Sequence, residues 1–125
     1  MIQINAVDHL NMNVTNLNET ITFYQDVFGF SIYEQEDYKG APYAIIGKKD
    51  SLFLCLYEEK GFKASKHDIS HIGFNIKNFD EIEEVLKKNK VTIKSQFDYP
   101  KSKSIYINDP SGREIELTSH FGGGY

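Results

Sequence analysis

Four side chains of this 125-residue chain have the types and spacing to do chemistry: His9, His71, Tyr106 and Glu116. The histidines open two stretches that read almost alike, His9-Leu10-Asn11-Met12-Asn13-Val14-Thr15-Asn16-Leu17 and His71-Ile72-Gly73-Phe74-Asn75-Ile76-Lys77-Asn78-Phe79. Both run histidine, apolar, small or polar, apolar, Asn, apolar, polar, Asn, apolar. The period of two makes each a strand with its histidine on the face opposite the aliphatics. Leu10, Met12 and Val14, like Ile72, Phe74 and Ile76, must cover a core, which turns His9, Asn11 and Asn13 and then His71, Gly73 and Asn75 the other way. The C-terminal strands alternate too. Ile115 and Leu117 point to the apolar side and Glu116 away from it; Ile105 and Ile107 point inward, and Ser104 and Tyr106 outward. A carboxylate between two aliphatics calls for a face that is wet or liganded. Two imidazoles and one carboxylate are the ligand set of an open metal site. The pattern alone leaves that site and a pair of merely hydrogen-bonded histidines equally open.

The elements that must position these groups repeat. The first strand covers residues 2–14. Asn16 or Asn18 caps a helix, Glu19 suits its positive end, Ile21, Tyr24 and Phe28 form its buried stripe, and Gly29 ends it. Strands follow over 30–34, 43–47 and 51–57, with 37–42 read as a turn or excursion. The polar stretch 58–68 connects the halves. After the His71 strand, Asp80 stands as the cap of a helix whose stripe is Ile82, Val85 and Leu86 and which Asn89 closes. Strands at 91–97, 101–108 and 113–119 complete the second half, the last two joined by a tight turn at Asp109-Pro110-Ser111-Gly112. The expectation is an α+β fold: two βαβββ modules, approximately 2–58 and 69–120 of one domain covering 1–125. They form a curved mixed sheet with a metal-binding trough on the side away from the helices.

Composition bounds the function. Hydrophobic residues make up 40% and charged residues 26%, as in a soluble globular protein. A net charge of −4 without a basic stripe argues against nucleic acid. A single cysteine, Cys55, excludes an internal disulfide and fits a reducing cytoplasm. No run approaches the roughly 20 apolar residues that span a bilayer, and Met1 to Asn5 does not read as a signal peptide. The expected location is cytoplasmic, with no membrane and no nucleic-acid partner.

Asp8-His9-Leu10, Asn18 to Phe30, Ser70 to Phe74 and Asp109-Pro110-Ser111-Gly112-Arg113-Glu114-Ile115-Glu116-Leu117 together resemble the vicinal oxygen chelate superfamily. That group includes glyoxalase I, extradiol dioxygenases, fosfomycin-resistance enzymes and bleomycin-binding proteins. The resemblance implies a homodimer and a divalent metal (Mn, Fe, Zn or Ni) held by His9, His71 and Glu116, acting on neighbouring oxygens of a small substrate. Glyoxalase I enzymes carry a second carboxylate in the fourth strand, where this chain has Leu54-Cys55-Leu56, so that activity is disfavoured. Extradiol dioxygenases resemble the chain at Ile105-Tyr106 and in the Asp-Pro turn but bring a histidine several residues before that tyrosine, and 94–103 holds none. Fosfomycin-resistance enzymes are similar in Ser51 to Leu56 and in Ser104-Ile105-Tyr106, with Lys94 where they bring a phosphonate-binding lysine. They continue into an arginine-bearing tail that this chain lacks. The expected activity is thus a metal-dependent lyase or transferase of the fosfomycin-enzyme type, with a thiol as a candidate co-substrate. An extradiol dioxygenase and a metal-free bleomycin-resistance-like binding protein are the alternatives. Tyr106 is the candidate catalytic group. Asn11, Phe53, Lys94 and Ser104 are the candidate substrate contacts.

Overall fold

The structure is a computed structural model that describes residues 1, 3, 9–65 and 71–120, His9 by its backbone alone. The other residues of the expected first strand, and His67, lie outside the described residues. The chain divides into two compact units, Met1–Phe62 and Lys63–Tyr125. The first holds β1 (His9–Val14), α1 (Leu17–Phe28), β2 (Ser31–Tyr38), β3 (Ala41–Lys48) and β4 (Leu52–Glu58). The second holds β5 (Ile72–Asn75), α2 (Ile82–Lys88), β6 (Ser95–Tyr99), β7 (Ser102–Asn108) and β8 (Glu114–Thr118). Each unit is a βαβββ module, and the fold is α+β.

The two sheets share one topology, β1-β4-β3-β2 and β5-β8-β7-β6. In each, the first strand pairs parallel with the last, and the remaining pairs are antiparallel. Parallel neighbours need a long crossover, which the helix and the intervening hairpins supply. Alternation then sorts the residues. Met12, Val14, Ala44, Ile46, Leu54 and Leu56 are buried in the first unit, and Ile105, Ile107, Ile115 and Leu117 in the second.

Local chemistry accounts for the helix ends. Asn16 caps α1, its Oδ1 accepting from the Glu19 amide at 3.0 Å. Tyr24, fully buried, carries rings of Phe23, Phe28 and Phe30 around it at centroid distances of 5.3–5.7 Å. Gly29 closes α1 in the left-handed region (φ 66°), its amide donating to the Gln25 carbonyl at 2.9 Å. At the end of α2 the same device carries a side chain. Lys90 sits at φ 58° while its amide donates to Lys87 and the Val91 amide reaches back to Leu86, the paired bonds of a Schellman cap.

Three boundaries differ from expectation. Residues 35–38 and 41–42 are strand, because Lys39 and Gly40 (φ 54° and 80°) make a two-residue turn matched to strand twist, with Asp37 Oδ1 accepting from the Gly40 amide at 2.6 Å. Asp80 does not cap α2. It lies within a 3₁₀ turn over Phe79–Glu81 that leads into the helix, and Asn78 Nδ2 donates to Glu81 Oε2 at 2.8 Å. The strand expected over 91–97 runs instead over Ser95–Tyr99, because the Schellman cap uses Val91 to close α2. Pairing with β7 begins only where the Lys94 amide donates to the Tyr106 carbonyl at 2.8 Å.

Two substitutions test the helix ends by urea unfolding. Asn16→Ala should cost about 1 kcal/mol by stranding the first-turn amide. Lys90→Gly should add about 0.5–1 kcal/mol by relieving a left-handed side-chain-bearing residue.

Candidate metal centre

The second unit assembles its site on one cross-sheet line. In the β5–β8 pair Gly73 stands opposite Glu116, in the β7–β8 pair Tyr106 stands opposite the same Glu116, and in the β6–β7 pair Ser95 stands opposite Tyr106. His71 lies two residues before Gly73, and its Nε2 comes to 3.1 Å from Glu116 Oε2. The other carboxylate oxygen, Oε1, accepts from Ser104 Oγ at 2.6 Å. The Tyr106 ring meets the His71 ring edge-on, with centroids 5.8 Å apart and planes at 88°. Tyr106 is thus the direct cross-strand neighbour of the Glu116 carboxylate. Burial, and then the neighbouring Glu116 carboxylate, push the Tyr106 phenol above its ordinary range. At neutral pH Tyr106 is therefore a neutral donor beside a carboxylate.

β8 begins from a turn with its own mechanism. The buried Asp109 accepts from the Ser111 and Arg113 amides at 2.9 and 2.8 Å, and Gly112 takes the left-handed position at φ 83°. Arg113 Nη1 lies 3.6 Å from the same carboxylate. The turn that the sequence assigned to Pro110 and Gly112 is thus tied down by the aspartate before them.

Lys94 is not held toward Glu116. Its Nζ pairs with Glu114 Oε2 at 2.7 Å. Ser104 is buried, and its hydroxyl is committed to the Glu116 carboxylate. The sequence expects both as substrate contacts. The structure gives each a carboxylate partner, Glu114 for Lys94 and Glu116 for Ser104.

In the first unit His9 stands opposite Phe53, and Asn11 opposite Cys55. The side chain of His9 lies outside what the structure describes. Because His9 and His71 each lie two residues before these rungs, the Asn11–Cys55 rung repeats the Gly73–Glu116 rung. Cys55 occupies the position that Glu116 takes in the other module. Phe53 packs edge-on against Tyr33 at 5.1 Å. It also lies over Gly47, where a Cβ would collide with the Leu52 carbonyl and come within 2.9 Å of the Phe53 ring. The sequence reading passed over Tyr33 and Gly47, whose relation to Phe53 depends on strand pairing.

Two donors on one metal, each about 2.1 Å away and at right angles, lie roughly 3 Å apart. The His71–Glu116 separation of 3.1 Å fits that spacing. Among the described residues no three His, Cys, Asp or Glu side chains converge. The structure thus brings together two of the three side chains that the resemblance names as ligands, His71 and Glu116.

The sequence profile of the Glyoxalase/Bleomycin resistance protein/Dioxygenase superfamily matches residues 6–117. The chain belongs to this superfamily. Among curated members of the glyoxalase superfamily, the metallothiol transferase FosB of Staphylococcus haemolyticus (strain JCSC1435) is 32% identical over 120 residues, covering 91% of this chain and 83% of the relative. The trivalent organoarsenical cleaving enzyme of Bacillus sp. (strain MD1) is 29% identical over 120 residues, covering 87% and 70%. Among solved folds, the fosfomycin resistance protein FosX of Listeria monocytogenes, as its E126Q mutant complexed with Mn(II), superposes with a TM-score of 0.78 at 23% identity, covering 96% of each chain. The FosB relatives, at 31–32% identity over most of this chain, favour the fosfomycin-enzyme type among the activities weighed from the sequence. No helix among the described residues is long and apolar enough to cross a membrane.

A spectrophotometric titration tests the Tyr106 environment. A raised phenol pKa favours the neutral side chain in the folded state. Its contribution to stability is therefore full below the ordinary tyrosine value of about 10 and is lost as pH rises through the higher folded value. Tyr106→Phe should remove absorbance at 295 nm only from the most alkaline part of the curve; loss from the segment near pH 10 would contradict the assignment.

Proposed function

We propose that this protein is a divalent-metal-dependent transferase of the fosfomycin-resistance type. It acts on a small substrate with two neighbouring oxygens and uses a thiol as co-substrate. The observation that carries the reading is the Glu116 carboxylate held between two fixed partners, His71 Nε2 at 3.1 Å from one oxygen and Ser104 Oγ at 2.6 Å from the other. The 32% identity to a metallothiol transferase over most of both chains supports the same class. His9, His71 and Glu116 are the residues to hold the metal, as Mn, Fe, Zn or Ni. A bound divalent ion supplies Lewis-acid polarisation of the substrate oxygens at this site.

The remaining work falls to the chain's own groups. Ser104 fixes the rotation of the Glu116 carboxylate and leaves Oε2 turned toward His71. Tyr106, held neutral, donates a hydrogen bond to the oxygen on which negative charge grows as the thiol adds. Asn11 and Phe53 extend the reading to the first unit's sheet. Cys55 in place of a second carboxylate removes the base that a proton shuttle between adjacent carbons would need, which disfavours glyoxalase I chemistry. Cytoplasmic location, which accords with the single cysteine, and a homodimeric assembly, which accords with the family, complete the proposal.

Metal content of protein purified without chelators or a metal-affinity tag tests the reading. The expected result is about one Mn, Fe, Zn or Ni per chain, absent from Glu116→Ala and His71→Ala. A protein that arrives without metal and takes up none on addition is a binding protein, not this enzyme. In the loaded protein, Tyr106→Phe should lower kcat for thiol addition to an epoxide on the order of 100-fold while the bound metal stays. Loss of metal together with turnover would instead make Tyr106 a structural support.

A further inference from the structure

The face of the second sheet that carries His71 and Glu116 is aromatic, and it leads outward. From His71 the rings step to Tyr106 (5.8 Å, edge-on), then to Phe97 (5.8 Å, edge-on), then to Tyr99 (6.2 Å, stacked at 23°). Phe97 and Tyr99 belong to β6, the edge strand of this sheet, and each exposes about half its surface (49% and 50%). They alternate with Gln96 and Asp98, so an aromatic pair on an exposed edge strand is turned toward Tyr106 and not scattered over both faces.

The charge on this face points the same way. Its strand positions carry two carboxylates, Glu114 and Glu116, and no lysine or arginine. The neighbouring cation, Lys94, is neutralised by Glu114 at 2.7 Å. A dianionic phosphonate gains its affinity from charge-assisted bonds to cations of the protein. Apart from the divalent ion itself, this face offers an incoming group stacked rings and no unpaired cation from its strand positions.

From these two observations we infer that the substrate of this site carries a planar, uncharged aromatic group. That group lies against Phe97 and Tyr99 while its two neighbouring oxygens are held at His71 and Glu116. The inference rests on the metal-dependent thiol-transferase reading above and departs from the fosfomycin enzymes in the electrophile alone: an aryl-bearing molecule with vicinal oxygens in place of a small phosphonate.

Matched chelators separate the inference from the reading it rests on. Protein loaded with Mn²⁺ is titrated calorimetrically with acetohydroxamate and benzohydroxamate, which share one chelating head and differ by a ring, and with methylphosphonate. Benzohydroxamate should bind about tenfold more tightly than acetohydroxamate. Phe97→Ala and Tyr99→Ala should shrink that ratio toward one while acetohydroxamate affinity and bound Mn²⁺ stay as in the wild type. Lys94→Ala should leave methylphosphonate affinity within about threefold. A wild-type ratio near one overturns the inference, as does a ratio that survives both ring removals. A loss of methylphosphonate affinity of about tenfold or more in Lys94→Ala overturns it as well. In each of these cases the metal-dependent reading stands. A protein that retains no Mn²⁺ fails before any chelator is added and overturns both.

Discussion

The site depends on a parallel pairing between the first and last strands of a module. In the second unit, β5 and β8 are joined in register from Ile72–Ile115 to Asn75–Thr118. That register alone brings a histidine from the start of the module within 3.1 Å of a glutamate from its end. A slip of one residue would turn Glu116 into the apolar layer and Ile115 or Leu117 out of it. Ile115 and Leu117 are almost wholly buried, so the register that seats the core also seats the carboxylate. Packing and chemistry are set by the same alternation.

Glu116 is tolerable in a largely covered position because each oxygen is occupied. Ser104 donates to one and His71 faces the other, with Tyr106 opposite on the adjoining strand. A carboxylate so surrounded has little freedom to rotate, which is what a preorganised ligand requires. The phenol beside it is driven toward its neutral form by burial and by the same carboxylate.

The two modules share a plan and differ at the rung that matters. Cys55 opposite Asn11 stands where Glu116 stands opposite Gly73. The first unit instead builds an aromatic corner. Phe53 lies over Gly47 and against Tyr33, and Tyr43 stacks on Tyr57 at 5.6 Å with its hydroxyl on Glu34. At the equivalent rung one sheet thus carries a carboxylate, Glu116, and the other a thiol, Cys55.

Much of this was written in the period of the sequence. The alternation around His71, Ile105–Ile107 and Ile115–Leu117 is a local property of each strand, so the faces of Glu116, Ser104 and Tyr106 and the two βαβββ modules could be read directly. Asn16, Gly29 and Asn89 announced the helix ends for the same reason, since caps act within one turn. Lys39-Gly40, the Schellman cap at Lys90 and the displaced start of β6 were hidden because a lysine in the left-handed region leaves no compositional mark. Only the tertiary structure decided where reach and partnership were concerned. Lys94 goes to Glu114, Ser104 to Glu116, and Phe97 and Tyr99 join the rings of Tyr106 and His71. The physical reason is that alternation fixes the face of a side chain, whereas its partner is fixed by which strand lies alongside and in what register.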